Sequence, residues 1–187
     1  VVLPALQNTE YLQRILETSA GVEVIPQLWR NSLYPVNKTT VSLTRELLQK
    51  YMPVEIHVNT LVQEAPVLAA LAEQIPSVMY VRELPADDPT LCRALGFNAD
   101  TLRLQLLEQV SRFIVPSQAV ADWLNCPARV TVRPNAVDED LFNVPFAPGR
   151  FLNVALISSN IAKKGLSDFI DVANLVAQTG RAVRFLI

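Results

Sequence analysis

Short apolar runs alternate with amphipathic stretches along almost the whole of this chain, and that rhythm constrains its fold more than any single residue does. The runs VVLPA (1–5), VEVIP (22–26), VEIHV (54–58), SVMYV (77–81), FIV (113–115), RVTV (129–132), FLNVALI (151–157) and RAVRFLI (181–187) have the length and β-branched content of strands. Between them the apolar residues change to helical spacing. Leu12, Ile15 and Leu16 share a face at about 9–19, with Asn8 or Thr9 as cap and Gly21 beyond the end. Leu43, Leu47, Leu48 and Tyr51 repeat in the same way before Pro53 stops the helix. Pro66 opens an Ala/Leu-rich helix to Gln74, a longer helical region runs from roughly Ala99 to Ser111, and Ser117 caps a short helix to Leu124. Leu166, Phe169, Ile170, Ala173, Val176 and Ala177 form one apolar stripe that Gly180 terminates. Strands alternating with helices of this length predict βαβ units in an α/β protein, with mainly parallel, Rossmann-like sheets and flanking helices.

With half of its 187 residues hydrophobic and 18% charged, the chain has material for a sizeable core, in one large domain or two small ones. The stretch NVPFAPGR (143–150) holds two prolines and a glycine and reads as an interdomain connection. Residues 1–145 are then expected to form one Rossmann-like domain and 146–187 the start of a second. The chain opens inside one apolar run and stops on another, RFLI, which predicts a fragment of a longer protein. A net charge of −2 and a pI near 5.4 argue against a nucleic-acid partner, which needs a basic face. Two cysteines, Cys92 and Cys126, make no disulfide framework and point to a reducing, cytoplasmic setting. No apolar run reaches the roughly 20 residues that span a bilayer. Asn37-Lys38-Thr39 matches a glycosylation sequon, a three-residue pattern that occurs often by chance.

Two segments carry the chemistry. VRPNAVDEDLF (132–142) reads as a strand end, a proline and a turn closed by Phe142. NIAKKGLSDFI (160–170) is a polar loop with two lysines and a glycine that opens directly onto a helix. The second arrangement brings cations and free backbone N–H groups together, as a phosphate site requires. No G-x-G-x-x-G, Walker lysine motif, metal-spaced Cys/His set or G-x-S-x-G elbow occurs, so dehydrogenase, NTPase, zinc-enzyme and hydrolase readings lose support.

In this order the pieces resemble the two-domain GT-B glycosyltransferases, in particular the retaining group-1 family (family 4). Residues 1–26 look like the second strand, helix and third strand of the family's acceptor domain. LLQKYMPVEIHVNT is similar to its P-D-x-V-H-x-N-T strand, and IPSVMYVREL to its G-x-P-V-V-x-x-x-H/R-E strand end. FIVPSQAVADWL resembles I-x-x-x-S-x-x-x-x-x-x-L, and RVTVRPNAVDEDLF resembles K-x-x-V-I-P-N-G-V-D-x-x-x-F. LNVALISSNIAKKGLSDFIDVANLV looks like the first strand, loop and helix of the nucleotide domain. On this alignment the first strand with its glycine-rich loop and most of the nucleotide domain, including the E-x7-E segment, are missing, so an isolated chain is expected to be inactive.

The resemblance implies transfer of a sugar from a nucleotide-diphosphate-sugar donor to a hydroxyl of a glycan, polysaccharide or glycolipid, with retention, no cofactor and no obligatory metal. It implies donor-phosphate contacts from Lys164 and Lys163 with Gly165, where a cation and a helix dipole would steady the leaving phosphate. The plainer reading of KKG is a solvated turn. The family usually supplies an arginine five or six residues before that lysine; here Ser158 and Ser159 stand there, able to hydrogen-bond phosphate but bringing no charge. Arg82 and Glu83 lie at a strand's carboxyl end, the edge where open α/β sheets bind ligands, and are the candidate catalytic pair, or else a structural one. His57, Asn59 and Thr60 are the acceptor-side candidates, His57 as a structural neighbour of the cleft rather than a base. Asp138-Glu139-Asp140 mimics a metal-binding D-x-D, but its place in the N-G-V-D-x-x-x-F turn makes these solvated turn acids. Ala136 replaces the usual glycine of that turn and implies mild strain if a positive φ is required there. Asp87-Asp88 reads as a loop and helix cap.

Two other readings stay open. One is a different enzyme on this fold, such as a nucleotide-sugar 2-epimerase. The other is a non-catalytic nucleotide-sugar-binding or scaffold module, favoured by the missing arginine. No basic amphipathic helix argues for membrane attachment, although many relatives act on lipid or polysaccharide acceptors, which leaves peripheral association of the parent protein open.

Overall fold

The computed structural model describes residues 1–6, 9–137, 139, 149, 152–159 and 164–187. The chain divides into two compact units, Val1–Ala136 and Val137–Ile187. In the first unit, strands β1 (Val2–Leu3) and β2 (Glu23–Val24) pair in parallel around helix α1 (Thr9–Thr18). Helix α2 (Lys38–Tyr51) leads into a four-stranded parallel sheet of β3 (Ile56–Asn59), β4 (Ser77–Tyr80), β5 (Arg112–Val115) and β6 (Val130–Val132), ordered as they occur in the chain. Helices α3 (Ala65–Ala72), α4 (Pro89–Leu95), α5 (Ala99–Gln109) and α6 (Gln118–Leu124) make the connections. The described residues of the second unit form a βαβ: β7 (Leu152–Ala155), α7 (Leu166–Ala177) and β8 (Val183–Leu186), its strands parallel, with Phe169 edge-on to Phe185 at 5.4 Å between ring centres. The chain is thus an α/β protein of parallel sheets with flanking helices.

Local chemistry explains where these elements start and stop. Asn37 caps α2, its side-chain oxygen accepting from the N–H groups of Thr39 and Thr40 at 3.0 and 3.2 Å, so the sequon match is a helix start. Met52 ends the same helix in the left-handed conformation, returning its N–H to Leu48 O, before Pro53. The expected cap at Asp88 is present: its carboxylate accepts from Leu91 N at 2.9 Å, with Pro89 at the first helical position of α4. Gly96 then closes α4 at φ 70°, where a Cβ would collide with the Ser32 hydroxyl. Positive φ falls on Met52, Thr60, Gln74 and Asn125 but not on Ala136, so alanine in that turn is unstrained.

The sheet has two unlike faces. Val58, Met79, Phe113 and Val115 point inward and are buried with Val67, Leu102, Leu106 and Leu124 of the helices. Burial of such side chains, worth about 1.5–3 kcal/mol each, drives the packing. The strand register places His57, Asn59, Tyr80, Arg112 and Thr131 together on the opposite face, where most remain exposed.

One buried charge binds the β2–α2 loop to this core. The Arg30 side chain is fully covered and meets Gln105 Oε1 at 3.1 Å, Gln109 Oε1 at 2.8 Å and the Glu64 carboxylate at 3.3 Å. Burial lowers the Arg30 pKa, and the charge of Glu64 opposes that shift. Its backbone N–H adds a bond to Val62 O, while Asn31 and Ser32 bond the end of α4 at Ala94 O, Leu95 O and Gly96 O. Removing Glu64 leaves the guanidinium uncompensated, whereas replacing Arg30 by methionine removes the charge itself. Glu64→Ala should therefore cost about 3 kcal/mol or more, and clearly more than Arg30→Met, in urea denaturation of the whole chain followed by circular dichroism. Equal losses would assign the stabilisation to packing alone.

Candidate functional site

The carboxyl ends of β3 and β4 bring together three of the residues singled out in the sequence. Thr60 follows β3 directly, and its N–H continues the ladder to Tyr80 O at 3.0 Å. It sits at φ 102°, a region that a β-branched residue enters only under constraint and at a cost of order 1–3 kcal/mol. The constraint is visible: Thr60 Oγ1 donates to Glu83 Oε1 at 2.5 Å, while Arg82 N donates to Glu83 Oε2 at 3.1 Å. Both carboxylate oxygens of Glu83 are occupied, so this acid joins the end of β3 to the chain after β4. It fixes the backbone of Arg82 and forms no ion pair with the guanidinium, which stays exposed at the edge.

His57 lies one strand-repeat behind Asn59 on the polar face. A carboxylate can only accept, so His57 Nε2 donates to Glu55 Oε1 at 3.0 Å. In the neutral ring Nδ1 is then the acceptor, and the Tyr80 hydroxyl donates to it at 3.1 Å. Arg112 closes the far end on Glu55 Oε2. The row Arg112–Glu55–His57–Tyr80 thus crosses the polar face and ends at the tyrosine, a residue that the sequence reading did not single out. The signal for it was the alternation of SVMYV, which puts Tyr80 on the same side as Val78. Asn59, paired in register with Tyr80, is exposed at the same edge.

A cavity of about 170 Å³ opens at the carboxyl ends of β4, β5 and β6, lined among others by Tyr80, Arg82, Pro116, Arg133 and Asn135. A second, of about 220 Å³, lies at the carboxyl ends of β2 and β3 between the Trp29–Asn37 loop and the start of α3, over the Arg30–Glu64 pair. Trp29 and Tyr34 stand exposed at this second cavity. Both sit where parallel sheets place ligands.

In the second unit, Ser158 and Ser159 follow β7 and are exposed, with Ser158 Oγ donating to Ser159 O at 3.2 Å. Lys164 is exposed and Gly165, at φ 72°, is the N-cap of α7 with no side-chain cap bond, so the first turn of that helix keeps unclaimed N–H groups beside a lysine. Lys163, Asp138, Asp140 and Phe142 lie outside the described residues, as do Asn8 and most of the 143–150 connection. Among the described residues no group of three or more His, Cys, Asp or Glu could hold a metal ion, and no helix is long and apolar enough to cross a membrane.

No known family profile matches the chain, and no curated protein is similar enough to count as a relative. Solved structures do match. Staphylococcus aureus MnaA, in a co-structure with UDP, aligns over 96% of this chain and 52% of its own at a TM-score of 0.51 and 17% identity. A UDP-N-acetylglucosamine 2-epimerase aligns over 94% and 50% at 0.53 and 12%. A candidate UDP-N-acetylglucosamine 2-epimerase from Listeria monocytogenes aligns over 90% and 49% at 0.50 and 13%. The chain spans about half the length of each. The fold is GT-B-like, the one these epimerases share with glycosyltransferases.

Two predictions follow from this edge. Thr60→Val keeps the β-branched shape and the backbone strain but removes the hydroxyl. It should destabilise the chain by about 1–3 kcal/mol, because a Glu83 oxygen loses its donor. Chemical denaturation reads the loss, and amide exchange at Arg82 should quicken with it. For the polar row, hydrogen bonding from His57 first, then Arg112, holds the Glu55 pKa below its usual value, against the effect of burial. A depressed carboxyl pKa contributes stability above the unfolded value, about 4.3, and loses it as pH falls through the folded one. Stability should therefore decline below about pH 4.3, and Glu55→Gln should flatten part of that decline in a series of urea titrations across pH.

Proposed function

We propose that the protein acts on a nucleoside-diphosphate sugar, and that its reaction is epimerisation of that sugar. The observation that carries this reading is the likeness of nearly the whole chain to UDP-bound MnaA and to UDP-N-acetylglucosamine 2-epimerases. Inverting one carbon requires a bond there to break and re-form on the other face, with proton transfer by positioned side chains. In this reading Lys164 and the first turn of α7, with Ser158, Ser159 and Gly165, receive the diphosphate of the nucleotide. In the first unit, Glu83 and Thr60 hold in shape the carboxyl edge that carries the candidate residues Arg82, Asn59 and His57. No metal is assigned a role, and the cytoplasm, where nucleotide sugars are made, is the proposed compartment.

Transfer of the sugar to a hydroxyl acceptor is the second reading, favoured by the ordered resemblance of residues 47–60, 75–84 and 129–142 to retaining glycosyltransferases. Product analysis separates the two. Incubating the whole protein with UDP-N-acetylglucosamine and a panel of UDP-, GDP- and ADP-sugars, without acceptor, should yield an epimer by NMR at constant total nucleotide sugar. Lys164→Ala should slow that conversion tenfold or more, about 1.4 kcal/mol of transition-state stabilisation. Nucleotide release that needs an added acceptor would replace epimerisation by transfer, and absence of both turnover and binding would leave a non-catalytic module.

A further inference from the structure

We infer that the cavity at the ends of β4, β5 and β6 is an oxyanion site, in which Arg82 and Arg133 clamp a phosphoryl or carboxylate group. Unlike Lys164 and α7, it lies wholly within the first unit, and it does not depend on the epimerase reading. Its two cations set it apart. The guanidinium groups of Arg30, Arg45, Arg93, Arg103, Arg112 and Arg129 each have a hydrogen-bond or ion-pair partner. Among the described residues of that unit only Arg14, on exposed α1, shares with Arg82 and Arg133 the lack of one. Both cavity arginines line the same 170 Å³ space, and among the described residues no carboxylate does. The nearest acid in sequence, Glu83, is held by Thr60 and the Arg82 backbone N–H and makes no ion pair with the guanidinium.

The ladder fixes the spacing of the pair. Val81 N bonds Ile114 O at 3.0 Å and Arg133 N bonds Val115 O at 2.7 Å, so both arginines leave the last hydrogen-bonded turns of strands that flank β5. Strands two apart lie about 10 Å from each other, a separation that two arginine side chains close around one oxyanion or a diphosphate. Pro116 and Pro134, also at the cavity, bring no N–H of their own, which leaves recognition to the guanidinium forks and the Asn135 amide. Planar guanidinium groups match phosphate and carboxylate oxygens two at a time, which favours these anions over a neutral hydroxylated ligand.

The test is calorimetric titration of the whole chain with inorganic pyrophosphate, inorganic phosphate, UDP and uridine. Arg82→Gln and Arg133→Gln are compared with the control Arg14→Gln, and circular dichroism checks each fold. Pyrophosphate should bind, weaken as salt rises, and lose tenfold or more in affinity in either cavity variant while Arg14→Gln has no effect; Arg82→Lys should recover part of the loss. If UDP binding falls in the same variants, the anion is the nucleotide's diphosphate. If UDP binding is unchanged while pyrophosphate binding falls, the anion belongs to another molecule. Absence of pyrophosphate binding, or equal loss in Arg14→Gln, overturns the site. Failure of UDP-N-acetylglucosamine turnover with pyrophosphate binding intact would overturn the epimerase reading alone.

Discussion

A guanidinium taken wholly out of water has to find acceptors, and around Arg30 the first unit is arranged to supply them. Gln105 and Gln109 come from one helix and Glu64 from the start of another, while the Arg30 backbone N–H bonds the chain after β3. Loss of Glu64 would leave the charge uncompensated, and loss of either glutamine would leave a buried donor without its acceptor. The loop carrying Arg30 therefore has one position relative to α3 and α5, and it brings Trp29, Asn31 and Ser32 with it. The 220 Å³ cavity, lined by Trp29, Arg30, Asn31 and Glu64, inherits its shape from that placement.

The same edge shows why an acidic residue beside an arginine need not be its ion partner. Glu83 spends both oxygens on Thr60 and on a backbone N–H, which joins two strand ends and leaves the Arg82 guanidinium unneutralised. A guanidinium with no ion partner among the described residues is suited to a substrate that carries phosphate. The polar row from Arg112 to Tyr80 behaves differently: its donors and acceptors satisfy one another, which orients the tyrosine at the cavity.

Much of the architecture was legible in the sequence because it rests on local rules. Strand and helix positions followed from periodicity, and Asp88 could be read as a cap because a proline comes directly after it. The seven-residue α4 behind that cap was not placed, since Thr90 to Leu95 is too short to show a helical repeat. Asn37 reads equally well as a sequon and as a helix start, and only the N–H groups of Thr39 and Thr40 decide between them. Arg30 gave no signal: QLWRNSLYP has no period, and its partners lie far along the chain. The role of Glu83 was half visible, as a residue that holds Arg82 in place, but which atoms it holds depends on Thr60 arriving from another strand. Arg133 was read only as part of a turn, because a cavity made by alternate strands has no linear pattern.

The side-chain hydrogen bonds that Arg30, Asn31 and Ser32 donate span 63 to 79 residues of chain. Contacts closed over such distances pay their loop entropy before they return any energy, which weights them toward late formation. Interactions absent from the folding transition state govern escape from the native state far more than arrival at it. The buried arginine is thus a brake on unfolding: it sets how long the carboxyl edge keeps its shape, and has little to do with how fast that shape is reached.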